Sequence, residues 1–216
     1  MPTDAIRDTI ALAKLHELQH DYLAKLFKQH TLKSMHFSIQ LPEQNTISSL
    51  VNFVIAYIDH VPDFIDAART ITKQASIAEY TEPFLKLAED YFLKPPEIVN
   101  KHTGLLELMN EAYLAHRLIE EINDRFMMRT SIPLVPMDMT ISNLIVHNLI
   151  GEPFSNELDE AVQYTADLTM IKEHVYLRSE FQAYIAKHKH RDKDKEQQRW
   201  PCLADQLSIN LQLTKR

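Results

Sequence analysis

The chain has 216 residues, 45% of them hydrophobic and 25% charged, and these proportions are typical of a globular protein and exclude wholesale disorder. Its two glycines, Gly104 and Gly151, are too few and too far apart to form the glycine-rich motifs that bind dinucleotides or NTP, and its net charge of −7 disfavours general binding to nucleic-acid phosphates. The single cysteine, Cys202, excludes an intramolecular disulfide and a cysteine-rich zinc site and indicates a reducing compartment.

The N-terminal part is predicted to begin with one long helix and to continue with an extended arm. Apolar residues recur at three- and four-residue steps over 4–33, as they do on one face of a helix. They are Leu12, Leu15, Leu18, Tyr22, Leu23 and Leu26. Polar and apolar residues then alternate strictly at 37–41, where Phe37, Ile39 and Leu41 share one side, and again at 209–213. These two stretches are available to pair as a minor two-stranded β-ribbon lying on the helices.

The second helix is predicted to contain a proline. Asn45 caps it, and Pro62 lies within its apolar stripe. Proline has no amide hydrogen and clashes with the carbonyl four residues before it, so we expect a kink at 58–62.

The rest of the chain shows four further helical patterns, each bounded by capping residues, glycine or proline. We predict helices at about 76–93, 105–128, 138–151 and 155–187. The short helix at 138–151 stands between two proline-containing linkers, so its apolar residues Ile141, Leu144, Ile145 and Leu149 are the strongest candidates for an exposed apolar surface. The alternative is that the same residues cap the core. The predicted fold is all-α: a single helical domain over 1–216, an irregular bundle of five to seven helices with a kinked second helix and a minor β-ribbon.

Polar residues interrupt the apolar stripes at five positions. His116 and Asn123 fall near the middle of the stripe of the helix at 105–128, and Glu120 falls on its flank. Lys172 and Gln19 interrupt the stripes of the last and the first helix. A buried polar group without a partner costs about 1–3 kcal/mol, so these side chains must be paired inside the fold. They are predicted to form an interior network, which either fixes helix register or binds a small polar or anionic ligand.

The segment at 16–20 matches H-E-x-x-H, the zincin signature in which two histidines bind zinc and the glutamate polarises water. The resemblance covers five residues. Glu17 and His20 are predicted to face solvent, and zincins place this motif beside a sheet that the preceding residues do not supply. We therefore interpret the segment as a charged solvent face.

Two other metal-binding patterns match in part. His116 with Glu120 and His16 with His20 have spacings used by hemerythrin-like bundles, but their order is reversed and the H-x-x-x-x-D element is missing. Ferritin-like di-iron bundles need two E-x-x-H elements, and this chain has one, at Glu17 and His20. No family is assigned from these matches, and His116 and Glu120 remain the candidate metal ligands.

The N-terminal residues lack the basic and apolar regions of a secretory signal, and the longest apolar runs fall short of the ~20 residues that span a bilayer. We therefore expect a cytoplasmic protein that binds neither membrane nor nucleic acid. The predicted function is that of a helical scaffold or regulatory protein without a clear catalytic motif, self-associating as a homodimer or another homo-oligomer. The alternative is a helical bundle whose interior cluster binds a metal or a small polar ligand, as in a metal-dependent oxidoreductase. The sequence indicates no particular cofactor.

Overall fold

The computed structural model describes residues 3–31, 35–99, 104–135, 138–169, 171–189 and 209–211, and within these ranges the protein is mostly helical. Eight α-helices lie there: α1 Asp4–His20, α2 Tyr22–Leu26, α3 Thr46–Gln74, α4 Ala78–Leu93, α5 Leu105–Thr130, α6 Thr140–Ile150, α7 Phe154–Thr169 and α8 Ser179–His188. A π-helical turn, Phe27–Thr31, follows α2, and a 3-10 turn, Glu173–Val175, precedes α8. The count exceeds five to seven because the first and the last predicted helix each break in two.

Helix α5 is the centre of the fold. It packs against α1, α3, α4, α6 and α7. Its buried residues include Glu107, Leu114 and Leu118 on one side and His116 and Asn123 on the opposite side, so they lie around most of its circumference. A helix covered on most sides is an interior helix, and polar residues on it are surrounded by protein.

Helix α3 runs without interruption through Pro62, which is itself buried. The prediction of one continuous helix across this proline is therefore confirmed, whereas the predicted kink at 58–62 stays a prediction. Continuity places Tyr57 and Phe64 on the same side of one rigid element, facing α5.

The first predicted helix ends early and turns its leucines outward. Asp21 adopts the left-handed conformation, with φ of 50°, and this separates α1 from α2. The α1 face against the core consists of Ile6, Ile10, Ala13 and Glu17. The predicted stripe is exposed instead, with fractional exposures of 70% for Leu12, 54% for Leu15, 81% for Leu18 and 58% for Tyr22. The prediction was wrong because it treated 4–33 as one helix, so that the buried Leu23 of α2 appeared to continue the leucines of α1.

The last predicted helix is interrupted between Thr169 and Ser179. This interruption lets Phe181 and Tyr184 of α8 return to the central helix, where both rings contact Phe126. A straight helix would carry Tyr184 roughly 20 Å beyond Thr169 at 1.5 Å per residue. The interruption therefore accounts for the contact of both rings with Phe126.

The two alternating stretches pair over two residues each. Ile39–Gln40, here β1, is antiparallel to Asn210–Leu211, here β2, and Ile39 lies opposite Leu211. Ile39 and Ile209 are buried. Phe37 is exposed, contrary to the prediction, because it lies in a turn closed by a hydrogen bond from Ile39 N–H to His36 O, before the strand begins. The end of the second stretch, 212–213, lies outside the described residues.

Helix α6 covers the core instead of presenting an apolar face to solvent. Ile145 and Leu149 are buried, Ile141 is partly buried and packed against the core, and Leu144 is exposed. Of the two alternatives for this helix, the exposed surface is wrong and the core cap is confirmed, because its apolar side lies against α5 and α7. Within the described residues, no helix is both long enough and apolar enough to cross a membrane.

Candidate functional site

His116 is held deep between α3 and α5. Its side chain is 1% exposed, and its ring lies 4.5 Å from the ring of Tyr57 and 5.2 Å from that of Phe64. Its Nε2 lies 2.9 Å from the carbonyl oxygen of Tyr57. A carbonyl only accepts, so Nε2 carries the proton and Nδ1 is left as an acceptor, which finds no partner in the described part of the chain. Burial lowers the pKa of His116 to about 3, so the imidazole is neutral at physiological pH.

Asn123 is also buried, as predicted, and it binds backbone. Its Oδ1 accepts a hydrogen bond of 3.0 Å from the N–H of Val135. This contact attaches the segment after α5 to the helix about two turns before its end. The amide thus satisfies a buried backbone donor, which is a structural role.

Glu120 lies where α5 meets α6, and its carboxylate is largely occupied. Oε1 accepts from the hydroxyl of Thr140 at 2.8 Å. Oε2 accepts from Nδ2 of Asn143 at 2.6 Å and from the guanidinium of Arg117 at 2.5 Å. Three donors, one of them cationic, compensate this carboxylate for its loss of water.

The network continues from Glu120 to α3 and α7. The hydroxyl of Tyr57 donates to Oδ1 of Asn143 at 2.6 Å. Asp159 on α7 accepts from Arg117 at 3.0 Å and from the hydroxyl of Tyr113 at 2.9 Å. Burial raises the pKa of both tyrosines, so their hydroxyls remain protonated donors. The polar cluster, defined by His116, Glu120, Asn123, Tyr57, Tyr113, Arg117, Asn143 and Asp159, therefore links α3, α5, α6 and α7.

Five members of the polar cluster were not identified from the sequence: Tyr57, Tyr113, Arg117, Asn143 and Asp159. Asn143 carried a usable signal, because it is a polar residue on the side of the short helix that also bears Val146. The tyrosines carried none, since a tyrosine in an apolar stripe is read as a core residue whose hydroxyl finds some partner.

Lys172 and Gln19 do not belong to the polar cluster, contrary to the prediction. Both are exposed. Lys172 lies in the interruption between α7 and the 3-10 turn, so it is on no helix stripe. Gln19 is on the solvent side of α1 because the core side of that helix carries Ile10 and Ala13 instead of the leucines.

Glu17 is buried, contrary to the prediction, and forms a helix cap. Its side chain is 8% exposed, and its carboxylate accepts from the N–H of Leu23 at 2.8 Å and from that of Ala24 at 3.4 Å. These are free amides of the first turn of α2. His20 is exposed as predicted, with its ring stacked on that of His16 at 4.3 Å. In the H-E-x-x-H segment the glutamate therefore serves the backbone, not a metal-bound water.

The space beside His116, Glu120 and Asn123 is small. These three side chains and the apolar residues Phe64, Ile119, Val135 and Met139 line a cavity of about 10 Å³. That volume admits about one water molecule and excludes a small organic ligand. Among the described residues, no set of three or more His, Cys, Asp and Glu side chains is arranged to hold a metal ion.

A second group of ionisable residues lies between α1 and α5. Glu107 and Glu111 are both buried and stand one turn apart on α5. Burial, and secondarily the charge of Glu107, raises the pKa of Glu111 to about 8. Oε2 of Glu107 and Nδ1 of His16 each lie 3.5 Å from the point where a Cβ on Gly104 would stand. This carboxylate pair, Glu107 and Glu111, thus includes a carboxyl group that is protonated at neutral pH.

A larger cavity of about 390 Å³ opens as a groove between the α1–α2 segment and α3. Its apolar wall consists of Leu18, Ala24, Ile47, Val51 and Ile55. Lys14, at its edge, is paired with Asp59 at 2.6 Å. Its volume falls in the range of small-molecule sites, but its wall is open to solvent and mostly apolar.

Comparisons of the chain with protein families, with curated proteins and with solved structures gave no match. The polar cluster, the carboxylate pair and the exposed surfaces are the features of the chain that bear on its function.

Proposed function

We propose that this protein is a helical scaffold or regulatory protein without catalytic activity, built as one bundle in a single domain, that self-associates in the cytoplasm. The observation that carries the proposal is the state of the polar cluster. Glu120 and Asn123 bind other groups of the protein, His116 donates its one N–H to a backbone carbonyl, and the space beside these three side chains is about the size of one water.

The chemistry of the individual groups supports the same reading. Glu120 accepts from three donors and is not free to act as a base or a metal ligand. His116 is neutral and too deeply buried to exchange protons with a bound substrate. A catalytic site needs a concave space for its substrate beside such groups, and here that space is filled by the helices.

A register-setting role accounts for the polar cluster. Several of its hydrogen bonds join a side chain on α5 or α6 to a particular position on α3 or α7. Sliding one helix by a turn would leave these buried groups without partners, at a cost of about 1–3 kcal/mol each. The cluster thereby favours one packing arrangement of the helices, and a scaffold needs such a fixed arrangement to present a constant surface.

The second candidate function is metal or small polar ligand binding, as in a metal-dependent oxidoreductase. The observation that favours it is the carboxylate pair, with Nδ1 of His16 buried nearby and unpaired within the described ranges. Carboxylate and imidazole are the donors that iron, manganese and zinc accept in helical bundles. Under this alternative the metal would bind at Glu107 and Glu111 in preference to His116 and Glu120.

Metal analysis of the purified full-length protein, combined with a thermal-shift screen, separates the two functions. For a scaffold we expect the amount of bound iron, manganese or zinc to be well below one ion per chain. We also expect the melting temperature to be unchanged in EDTA. Stoichiometric metal that raises the melting temperature would reverse the order of the two proposals. Glu111→Gln and Glu120→Gln would then show which site holds the metal, since each removes one candidate carboxylate.

Nucleic acid is not a proposed partner, because the net charge of −7 repels phosphates. Chromatography on immobilised DNA and RNA at low salt tests this part of the proposal. Salt-sensitive retention of the full chain would contradict it.

A further inference from the structure

We propose that the exposed leucine face of α1, defined by Leu12, Leu15 and Leu18, is the contact surface for a second copy of this chain, with the two α1 helices antiparallel. This inference rests on the proposed self-association and names the surface that mediates it. Single exposed leucines are common on protein surfaces, but three at three-residue spacing form one continuous apolar surface, and such surfaces mark interfaces.

The leucine face points directly away from the core. At 100° per residue, Leu12 and Leu18 project about 60° to either side of Leu15. The opposite side of α1 carries Ile6, Ile10 and Ala13 against the core. Helix α1 is therefore apolar on two sides, one covered by α3 and α5 and the other open to a partner.

The spacing of the leucines fits a copy of the same helix running in reverse. Leu12 and Leu18 are equidistant from Leu15, so a twofold axis at Leu15 brings the face onto itself. A contact between two identical surfaces must be self-complementary in this way. In a parallel pair, related by a twofold axis along the helices, the two N-termini would lie side by side instead.

The charges at the ends of α1 select the antiparallel orientation. The exposed carboxylate of Asp8 lies two turns before Leu15. At the other end, the ammonium of Lys25 binds the carbonyl oxygen of His20 at 2.8 Å, so this cation stands at the C-terminus of α1. Reversing one helix brings Asp8 of each copy toward Lys25 of the other and opposes the two helix dipoles.

The leucine face also continues into the groove beside α3. Leu18 belongs to both, and the groove wall adds Ile47, Val51 and Ile55. The groove of about 390 Å³ has room for apolar side chains of the second copy. A contact that includes the groove buries more apolar area than two helices that touch along one line. A stable dimer requires this larger area.

Sedimentation equilibrium of the full chain at micromolar concentration provides the test. The wild type is expected to form a dimer, and Leu15→Glu is expected to weaken it at least tenfold, because a carboxylate would face its own copy at the twofold axis. Leu168→Glu, an equally polar change at another exposed leucine, is expected to leave the dimer intact. Circular dichroism melting of each variant establishes that it folds, and Leu12→Ser with Leu18→Ser is a milder second test of the same face.

Cysteine cross-linking tests the orientation in a Cys202→Ser background. In an antiparallel pair centred on residue 15, Leu15→Cys meets itself and forms a disulfide-linked dimer, whereas Leu12→Cys is too far from its own copy. Equal cross-linking at both positions would overturn the antiparallel arrangement. Charge exchange adds a second check: Asp8→Lys should weaken the dimer, and adding Lys25→Glu should restore it.

The remaining outcomes separate this inference from the proposed function. A wild-type monomer at these concentrations would overturn both. A dimer that survives Leu15→Glu but is lost in Leu144→Glu would overturn the assignment to α1 and retain self-association through α6. A dimer that survives both changes would likewise overturn the assignment to the leucine face.

Discussion

The carboxylate of Glu17 accepts a hydrogen bond of 2.8 Å from the backbone N–H of Leu23, across the break between α1 and α2. Because of this contact, the chain can turn at Asp21 without leaving the N–H groups in the first turn of α2 unpaired. We expect Glu17→Ala to lower the free energy of unfolding by about 1–2 kcal/mol, the usual cost of a lost cap. Gln19→Ala, at an exposed position of the same helix, should change it by no more than about 0.5 kcal/mol. Urea denaturation of both variants measures the difference, and equal stabilities would contradict the capping role.

Burial of His116 predicts a loss of stability in acid. Its pKa is about 3 in the folded protein, below the 6.5 of an unperturbed histidine. Between these values the unfolded chain binds a proton that the folded chain does not, so the free energy of unfolding falls as the pH is lowered from 6.5 toward 3. Between pH 6.5 and 3, the wild type should lose about 1.4 kcal/mol of its free energy of unfolding per pH unit through this histidine. We expect this dependence to be absent in His116→Gln. Urea denaturation at pH 7 and pH 4.5 measures the difference, and His36→Gln, at an exposed position, is the control. If the wild type and His116→Gln lost the same free energy of unfolding between the two pH values, the imidazole would not be buried and neutral.

Glu111 predicts the opposite dependence at higher pH. Its folded pKa of about 8 exceeds the ordinary value of 4.5, so the folded protein retains a proton that the unfolded chain releases between these values. The free energy of unfolding therefore falls as the pH rises from 4.5 to 8. We expect Glu111→Gln, which is always neutral, to be more stable than the wild type at pH 8 by at least about 1.4 kcal/mol, the equivalent of one pKa unit. Glu107→Gln should produce a smaller gain because it removes the neighbouring charge but not the buried carboxyl. An unchanged melting temperature of Glu111→Gln at pH 8 would refute the raised pKa.

The hydrogen bond from Tyr57 to Asn143 predicts the effect of removing a hydroxyl from the polar cluster. Tyr57→Phe retains the ring between α3 and α5 but leaves Oδ1 of Asn143 without its donor. We expect the free energy of unfolding to fall by about 1–2 kcal/mol, in the range for a buried acceptor that loses its partner. Tyr164→Phe removes a hydroxyl from an exposed ring and should be close to neutral. Equal effects of the two changes would show that the buried hydroxyl contributes no more than an exposed one.

The pairing of β1 with β2 predicts that the C-terminal stretch contributes to stability. Ile209 is fully buried where this stretch meets the core. We expect Ile209→Ala to cost about 2–4 kcal/mol, as for other large-to-small changes in a core. Phe37 lies just before β1 and is exposed, so Phe37→Ala should lower the free energy of unfolding by less than about 0.5 kcal/mol. Thermal melting of the two variants gives the comparison, and a neutral Ile209→Ala would mean that the stretch does not pack on the helices.

Local patterns in the sequence determined much of the helical content and the boundaries of several elements. The scarcity of glycine and the three- and four-residue apolar spacing predicted a mostly helical protein, and α4, α5 and α6 begin and end close to the predicted positions. The same spacing predicted that His116 and Asn123 are buried, because their neighbours on α5 are apolar on that side. The alternating stretches likewise predicted the β1–β2 pair. The helical content, the helix boundaries and the extended form of the two stretches follow from interactions of a residue with its near neighbours in the chain.

Only the tertiary structure decided which side of α1 faces the core and where the long helices break. A periodic pattern shows that a helix has an apolar face, but not whether the isoleucines or the leucines of α1 lie against α3 and α5. The break at Asp21 depends on Glu17 reaching the amides of α2, and the break after Thr169 depends on Phe181 and Tyr184 packing on Phe126. Phe181 and Tyr184 are distant in the chain from Phe126, and Glu17 contacts Leu23 across a break in the helix. Periodicity within one helix contains no information about either kind of contact.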